Sequence, residues 1–368
     1  MRLNKRTRLY LKNKTKGYLS KDQSLNMLKH YLRLDLGENL LGHAKVSIEK
    51  KHFEENTIRY YSDPSNSEIK KTISSLYNLS PKNITIANNS NEIIDFLPKM
   101  INEEKSNNII VLPTFFRIID SLNQVNSKNL YLNLKEANQF IPDKNLINKI
   151  ITTSNNGRAD TIWICNPNNP TGEIYSLKDI ERILKLTKAI LIVDEAFFEF
   201  YDYKNENSAI RLINKYKNLI VLRTLSKAYG LAGLRMGYAL SNPDIIEEIE
   251  NYRDTLLMTS GLTVKLAGTA LKDHSFIKKT AVETKKLRND LFNEIKKLEN
   301  LKIGSISKTN IFLLKHLKKD VYKELLNKNI LTADFRNAKG LESLEYVRIT
   351  VGDKNKNRRL IEALKDID

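Results

Sequence analysis

The most reactive feature of the chain is one lysine set among hydroxyls and small residues. Lys227 lies in Thr224-Leu225-Ser226-Lys227-Ala228-Tyr229-Gly230-Leu231-Ala232-Gly233-Leu234-Arg235, just after the apolar run Leu219-Ile220-Val221-Leu222. A lysine amine becomes a nucleophile toward a carbonyl when burial or a neighbouring cation removes its proton. The hydroxyls of Thr224 and Ser226 and the guanidinium of Arg235, eight positions beyond the lysine, suit a phosphate monoester. Together they describe a pocket for an aldehyde that carries a phosphate.

Other chemistry-bearing residues sit at the ends of apolar runs. Ala189-Ile190-Leu191-Ile192-Val193 reads as a buried strand and ends in Asp194-Glu195-Ala196-Phe197. A carboxylate there is costly unless a cation pairs with it. Asp194 is therefore a functional candidate, whereas Glu195 is read as facing outward or capping the next turn. Asn166-Pro167-Asn168-Asn169-Pro170-Thr171-Gly172 follows the strand Thr161-Cys165. In open sheets ligands bind outside such carboxyl ends. Ile84-Ala87 is a short strand, and Asn88-Asn89-Ser90-Asn91-Glu92 opens a helix over Ile93-Met100. The free N–H groups and dipole of a helix start make an anion site. Phe115, after the strand Ile109-Leu112, offers a ring face for stacking.

Strands and helices alternate between these points: a strand over Asn129-Leu134, then helices over Asp143-Ile151 and Ser176-Thr187. That alternation predicts a mostly parallel sheet with helices on both faces. A strand over Arg235-Leu240 completes it. A long helix from Pro243 is expected to bridge to a smaller C-terminal unit with helices over Phe276-Leu298 and Lys319-Asn329. A short helix is also expected around Asp22-Leu32.

Thr-Leu-Ser-Lys followed by Gly-Leu-Ala-Gly-Leu-Arg, together with Asn169-Pro170-Thr171-Gly172 and Asp194-Glu195-Ala196, resembles the fold-type I, class I/II aminotransferases. The nearest likeness is their histidinol-phosphate branch. The resemblance runs from about Leu34 to the C-terminus. It implies an α/β fold of a mixed, mostly parallel seven-stranded sheet between helices, with a smaller α+β domain. The expected division is an N-terminal arm over 1–45, a large domain over 46–255 and a small domain over 256–368.

The resemblance also implies pyridoxal 5'-phosphate, held by Lys227 as a Schiff base. Asp194 would keep the pyridine nitrogen protonated, Asn169 would donate to the phenolate oxygen, and Phe115 would stack on the ring. Thr224, Ser226, Arg235, Ser90 and Asn91 would hold the phosphate. Asn89 stands where the family usually has glycine, and the amides and side chains of Ser90 and Asn91 are expected to keep the cradle. Tyr61 (or Tyr60, in the next register) would reach the phosphate of a partner subunit, which implies a homodimer. In Tyr346-Val347-Arg348-Ile349-Thr350, Arg348 would bind the substrate's carboxylate or phosphate. The family's second phosphate-binding arginine aligns with Ala333, leaving Arg336 as the nearby candidate. The segment Gly37-Glu38-Asn39 would pass the mouth of the site, with Asn39 a candidate substrate contact. No metal site is expected. Phe197 replaces the usual tyrosine, a feature shared with threonine-phosphate decarboxylases. Two reactions follow: transamination of a small phosphorylated amino compound, or decarboxylation of a phosphorylated amino acid.

Composition narrows the alternatives. A chain of 368 residues with 41% hydrophobic and 28% charged residues suits a globular protein with a sizeable core. One cysteine excludes an intramolecular disulfide and fits a reducing compartment, so the cytoplasm is expected. No apolar run approaches the ~20 residues a membrane span needs. The net charge of +18 is spread along the chain without interleaved aromatics, so it favours anionic small molecules over nucleic acid.

Overall fold

A computed structural model describes residues 29–46, 59–253 and 259–368, together with Thr7 and Leu11. Most of the helix expected around Asp22-Leu32 lies outside the described residues. Its last residue opens a strand instead.

In chain order the elements are β1 (Leu32–Leu34), α1 (Ser67–Tyr77), β2 (Ile84–Ala87), α2 (Ser90–Ile101), β3 (Asn107–Leu112), α3 (Phe116–Gln124), β4 (Lys128–Asn133), α4 (Lys144–Gly157), β5 (Thr161–Cys165), α5 (Leu177–Leu186), β6 (Ile190–Asp194) and α6 (Phe198–Tyr201). They continue with β7 (Leu219–Thr224), β8 (Gly237–Ser241), α7 (Pro243–Tyr252), α8 (Gly261–Ala270), α9 (His274–Ile295), β9 (Leu301–Ile303), β10 (Ile311–His316), α10 (Val321–Asn327), β11 (Ile330–Asp334), β12 (Val347–Thr350) and α11 (Lys354–Ile367).

Seven strands form the large sheet in the order β2-β8-β7-β6-β5-β3-β4. Only β8 runs antiparallel to its neighbours. The chain steps outward from β3 to β4 and then returns to β5, β6 and β7. The reversal between β3 and β5 opens a crevice at the carboxyl edge, where ligands bind in such sheets. A second sheet, ordered β1-β11-β12-β10-β9, carries the small core. The N-terminal strand β1 therefore joins it by parallel pairing with β11.

The central strands are buried on both faces, as parallel sheets require. Within them alternate residues serve different cores. Ile162, Ile164, Leu191 and Val193 pack on one face, while Trp163, Cys165 and Ile192 pack on the other against α2, α3 and α7. Helix α9 links large and small cores: Ile277 and Ala281 belong to the first, Leu287, Leu291 and Ile295 to the second. Its 22 residues span about 33 Å.

Three local expectations are corrected. The helix from Pro243 stops at Tyr252, with Arg253 already extended, and α9 makes the bridge instead. Arg235 is not in a strand: at φ 52 it caps a short 3-10 turn, and β8 begins at Gly237. Glu195 does not face outward but is fully buried. Following Asp194 by one residue, it points to the opposite face of the sheet, where Arg223 of β7 also points. Arg223 is wholly buried and donates to Glu195 at 2.9 Å, Glu199 at 2.6 Å, Asn205 at 2.8 Å and Ser208 at 2.9 Å.

This network makes stability depend on the cation. Arg223→Met would leave two carboxylates buried without their partner, at a cost of roughly 3–5 kcal/mol. Chemical denaturation of the variant should show that loss. A change within experimental scatter would mean the carboxylates are satisfied without Arg223.

Candidate functional site

The sheet edge and the small domain enclose a cavity of about 840 Å³. Ser90, Asn91, Phe115, Asn169, Asp194, Phe197, Thr224, Ser226, Lys227, Arg235 and Arg348 all line it. They come from the ends of β2, β3, β5, β6 and β7 and from β12, so segments far apart in sequence converge.

Lys227 sits in the turn after β7, where Leu225 and Ala228 are buried around it. Its Nζ donates to the Leu36 carbonyl at 2.7 Å. Burial first, then the Arg348 and Arg235 charges, pull its pKa down to about 7 against the opposing pull of Glu38 and Asp194. A large fraction of the amine is therefore neutral near pH 7, as a nucleophile or base must be.

Asp194 lies on the cavity floor. Burial pushes its carboxyl up to about 6, against the Ala196 N–H and the Lys227 charge, with Glu195 adding to the rise. Its Oδ1 accepts from the Ala196 N–H at 3.0 Å. Oδ2 has only the thiol of Cys165, at 4.0 Å. A buried carboxylate with one oxygen so weakly satisfied fits a cationic ring N–H.

The Asn166–Gly172 loop is tied to itself and to both domains. Asn168 takes the Thr171 hydroxyl at 2.9 Å on Oδ1 and gives its Nδ2 to the Pro113 carbonyl at 3.0 Å. Gly172 has φ +72, and a Cβ there would collide with Ser307 Oγ of the small domain. This rigid frame sets Asn169, whose Oδ1 accepts from Arg348 Nη1 at 2.8 Å. The pairing leaves Nδ2 as that side chain's donor. Arg348 is 1% exposed and also donates to the Asp35 carbonyl.

At the far end, Thr224 and Ser226 share a hydroxyl–hydroxyl contact of 3.0 Å, and Arg235 stands at the more exposed rim. Helix α2 starts here, but its cradle differs from expectation. Asn89 occupies φ 126 and accepts from the Asn91 N–H at 2.7 Å and the Glu92 N–H at 3.3 Å. The Asn91 amide expected for a phosphate is thus consumed by a side-chain cap that glycine could not supply. The side chains of Ser90 and Asn91 still line the cavity.

Three candidates lie outside it. Arg336 pairs with Asp334 at 2.7 Å and with Asp320, and it stacks on Tyr322. Tyr61 is 81% exposed on the surface. Asn39 gives its Nδ2 to the Ala228 carbonyl at 2.7 Å and accepts from the Leu41 N–H at 3.0 Å, clamping the N-terminal segment onto the lysine turn. Conversely, Leu36, Glu38, Arg117 and Cys165 line the cavity without having been singled out in the sequence. A charged residue beside Asn39 in a segment expected at the mouth was the available signal for Glu38.

The sequence pattern of the family described as aminotransferase class I and II matches residues 29–364, which include every lining residue. The chain belongs to the class I and II aminotransferases. The family and the site's donors agree on pyridoxal 5'-phosphate as the cofactor. Among similar proteins is a histidinol-phosphate aminotransferase of Methanococcus aeolicus, 30% identical, covering 99% of this chain and 96% of that one. The structure of histidinol-phosphate aminotransferase from Sinorhizobium meliloti in complex with pyridoxal-5'-phosphate shares the fold (TM-score 0.81, 20% identity, 98% and 97% covered). So does L-threonine-O-3-phosphate decarboxylase from Porphyromonas gingivalis (TM-score 0.74, 22% identity, 91% and 98% covered).

In this aminotransferase the bound cofactor supplies an aldehyde for amines and a ring that withdraws electrons from the amine-bearing carbon. The protein supplies the rest. Lys227 Nζ opens on the cavity as a buried amine with a lowered pKa, chemically able to bond an aldehyde or to carry a proton. The Asp194 carboxylate and the Phe115 and Phe197 rings line the same cavity. Among the described residues no group of His, Cys, Asp and Glu could hold a metal ion, and no helix is long and apolar enough to cross a membrane.

Proposed function

We propose that this aminotransferase acts on histidinol phosphate, exchanging its amino group with a keto acid. The observation that carries the reading is Arg348, a buried guanidinium facing the same cavity as the Lys227 amine. An anchored anion and a reacting amine are what a small phosphorylated amine presents, and Arg's fork suits phosphate. The 30% identity to a histidinol-phosphate aminotransferase over nearly the whole chain supports the same substrate.

In this reading Arg348 holds the substrate anion. Thr224, Ser226, Arg235, Ser90 and Asn91 hold the cofactor phosphate, Asn169 Nδ2 donates to the ring oxygen, and Phe115 stacks. Arg336 and Asn39, which do not line the cavity, serve structure rather than substrate. The enzyme works in the cytoplasm as a homodimer, with Tyr61 of each subunit reaching the other's phosphate; its 81% exposure supports that role.

The test is to mix holoenzyme with histidinol phosphate, then add a keto acid. The cofactor should pass to its amine form in the first step and return in the second. Catalytic release of carbon dioxide from threonine phosphate without any keto acid, and no turnover of histidinol phosphate, would replace this reading with the decarboxylase.

A further inference from the structure

One carboxylate of the lining has no part in the scheme above. Besides Asp194, Glu38 is the only carboxylate among the described residues lining the cavity. Asp194 belongs to the floor beneath the ring. Glu38 lines the cavity with Leu36, and its charge acts on Lys227.

Its backbone is pinned on both sides. The Glu38 carbonyl accepts from Asn310 Nδ2 at 2.9 Å, and the preceding Gly37 N–H donates to Thr350 Oγ1 at 3.0 Å. Gly37 itself has φ +64 and lies against the Phe197 ring, where a Cβ would come within 3.0 Å of Cζ. The following residue, Asn39, is held by Ala228. The carboxylate is less committed. Its nearest cation is Arg33, 4.0 Å away, and Arg33 already makes two contacts of 3.3 Å with Asp35. Arg117, another cation lining the cavity, is held by Asp95 at 2.6 Å. Glu38 is thus a fixed acceptor with capacity to spare, close enough for its charge to favour the protonated form of Lys227.

We propose that Glu38 selects the amino substrate by accepting a hydrogen bond from a ring N–H of that substrate. An ionised carboxylate only accepts, so its ligand must donate. The inference rests on histidinol phosphate as substrate, whose three polar parts are then matched: phosphate to Arg348, amine to the Lys227 centre, imidazole N–H to Glu38. A site built to bond such a donor discriminates against analogues lacking it, because its polar group is then left unpaired. A hydrogen bond to a charged group corresponds to roughly a tenfold to hundredfold preference.

The experiment uses the holoenzyme, Glu38→Gln and Glu38→Asp. Each is titrated with histidinol phosphate and with 2-aminobutyl phosphate, which keeps amine and phosphate but has no ring. Cofactor absorbance reports both dissociation constants. The wild type should bind the ring-bearing ligand at least about tenfold more tightly; Glu38→Gln should lose that preference, and Glu38→Asp should keep part of it. A residue that only tunes Lys227 would change both ligands alike, so equal weakening overturns the proposal. So does an unchanged preference in Glu38→Gln, or no preference in the wild type. Turnover of histidinol phosphate by the wild type is scored separately: its absence removes the proposed function, while the ratio of dissociation constants still decides the role of Glu38.

Discussion

Lys227→Ala is expected to lower turnover by roughly four orders of magnitude or more, since both the nucleophile and the proton carrier are lost. The variant should fold, because alanine removes only an amine and its stem from a pocket wall. The visible absorbance of the lysine-bound cofactor should disappear, and borohydride should no longer fix cofactor to the chain. Labelling of the wild type at any other lysine would sink the assignment. The environment adds a pH signature. Burial and Arg348 bring the amine's pKa from 10.5 down to about 7. The neutral, reactive fraction therefore grows as pH rises through about 7. Reconstitution of cofactor-free protein should accelerate over that range and level off above it. A rise centred near the ordinary lysine value would show that the turn does not shift the amine.

Asp194→Asn is the second large effect. The amide keeps the shape but not the charge that favours a proton on the ring nitrogen, so turnover should fall by about a hundredfold to a thousandfold. A loss below about tenfold, ~1.4 kcal/mol, would remove Asp194 from the electron-withdrawing role. The carboxyl pKa near 6 in the cofactor-free protein supplies an independent readout. Above it the group is ionised and attracts a cationic ring. As pH falls through about 6 it is protonated, and cofactor affinity should weaken. In Asp194→Asn the part of the pH dependence centred near 6 should vanish, leaving the contribution of Lys227 near 7. Equilibrium titration with cofactor between pH 5 and 8 measures both outcomes.

The contrast between Asp194 and Glu195 shows where local sequence reading succeeds and fails. Each follows the same apolar run, and the run alone marks a buried carboxylate. Whether the next residue is buried too depends on what covers the opposite face of β6. That cover comes from Arg223, Ser208 and Glu199, which are distant in sequence or follow after a turn. An arginine inside the apolar strand β7 was the visible clue, since such a charge needs counterions.

Arg336 and Asn89 show the same limit at closer range. Arg336 is near the expected phosphate site in sequence, yet Asp334 lies two residues away and Asp320 faces it across the fold, so nearby carboxylates take its guanidinium. Asn89 takes a positive-φ backbone (φ 126, ψ 168) outside the left-handed helical region, and its side chain brings an acceptor that claims amides of α2.

By itself the sequence determined the lysine turn, the carboxylate ending β6, the Asn-Pro-Thr-Gly loop and the alternation that yields a mostly parallel sheet. These are properties of short segments: apolar runs, turn residues and fixed spacings encode them locally. Only the tertiary structure decided which ends meet. It brought Arg348 onto Asn169, laid Leu36 and Glu38 over Lys227, and moved the interdomain bridge to α9. Those choices depend on burying two cores at once and on pairing buried charges such as that of Arg223, and such constraints act between residues far apart in sequence.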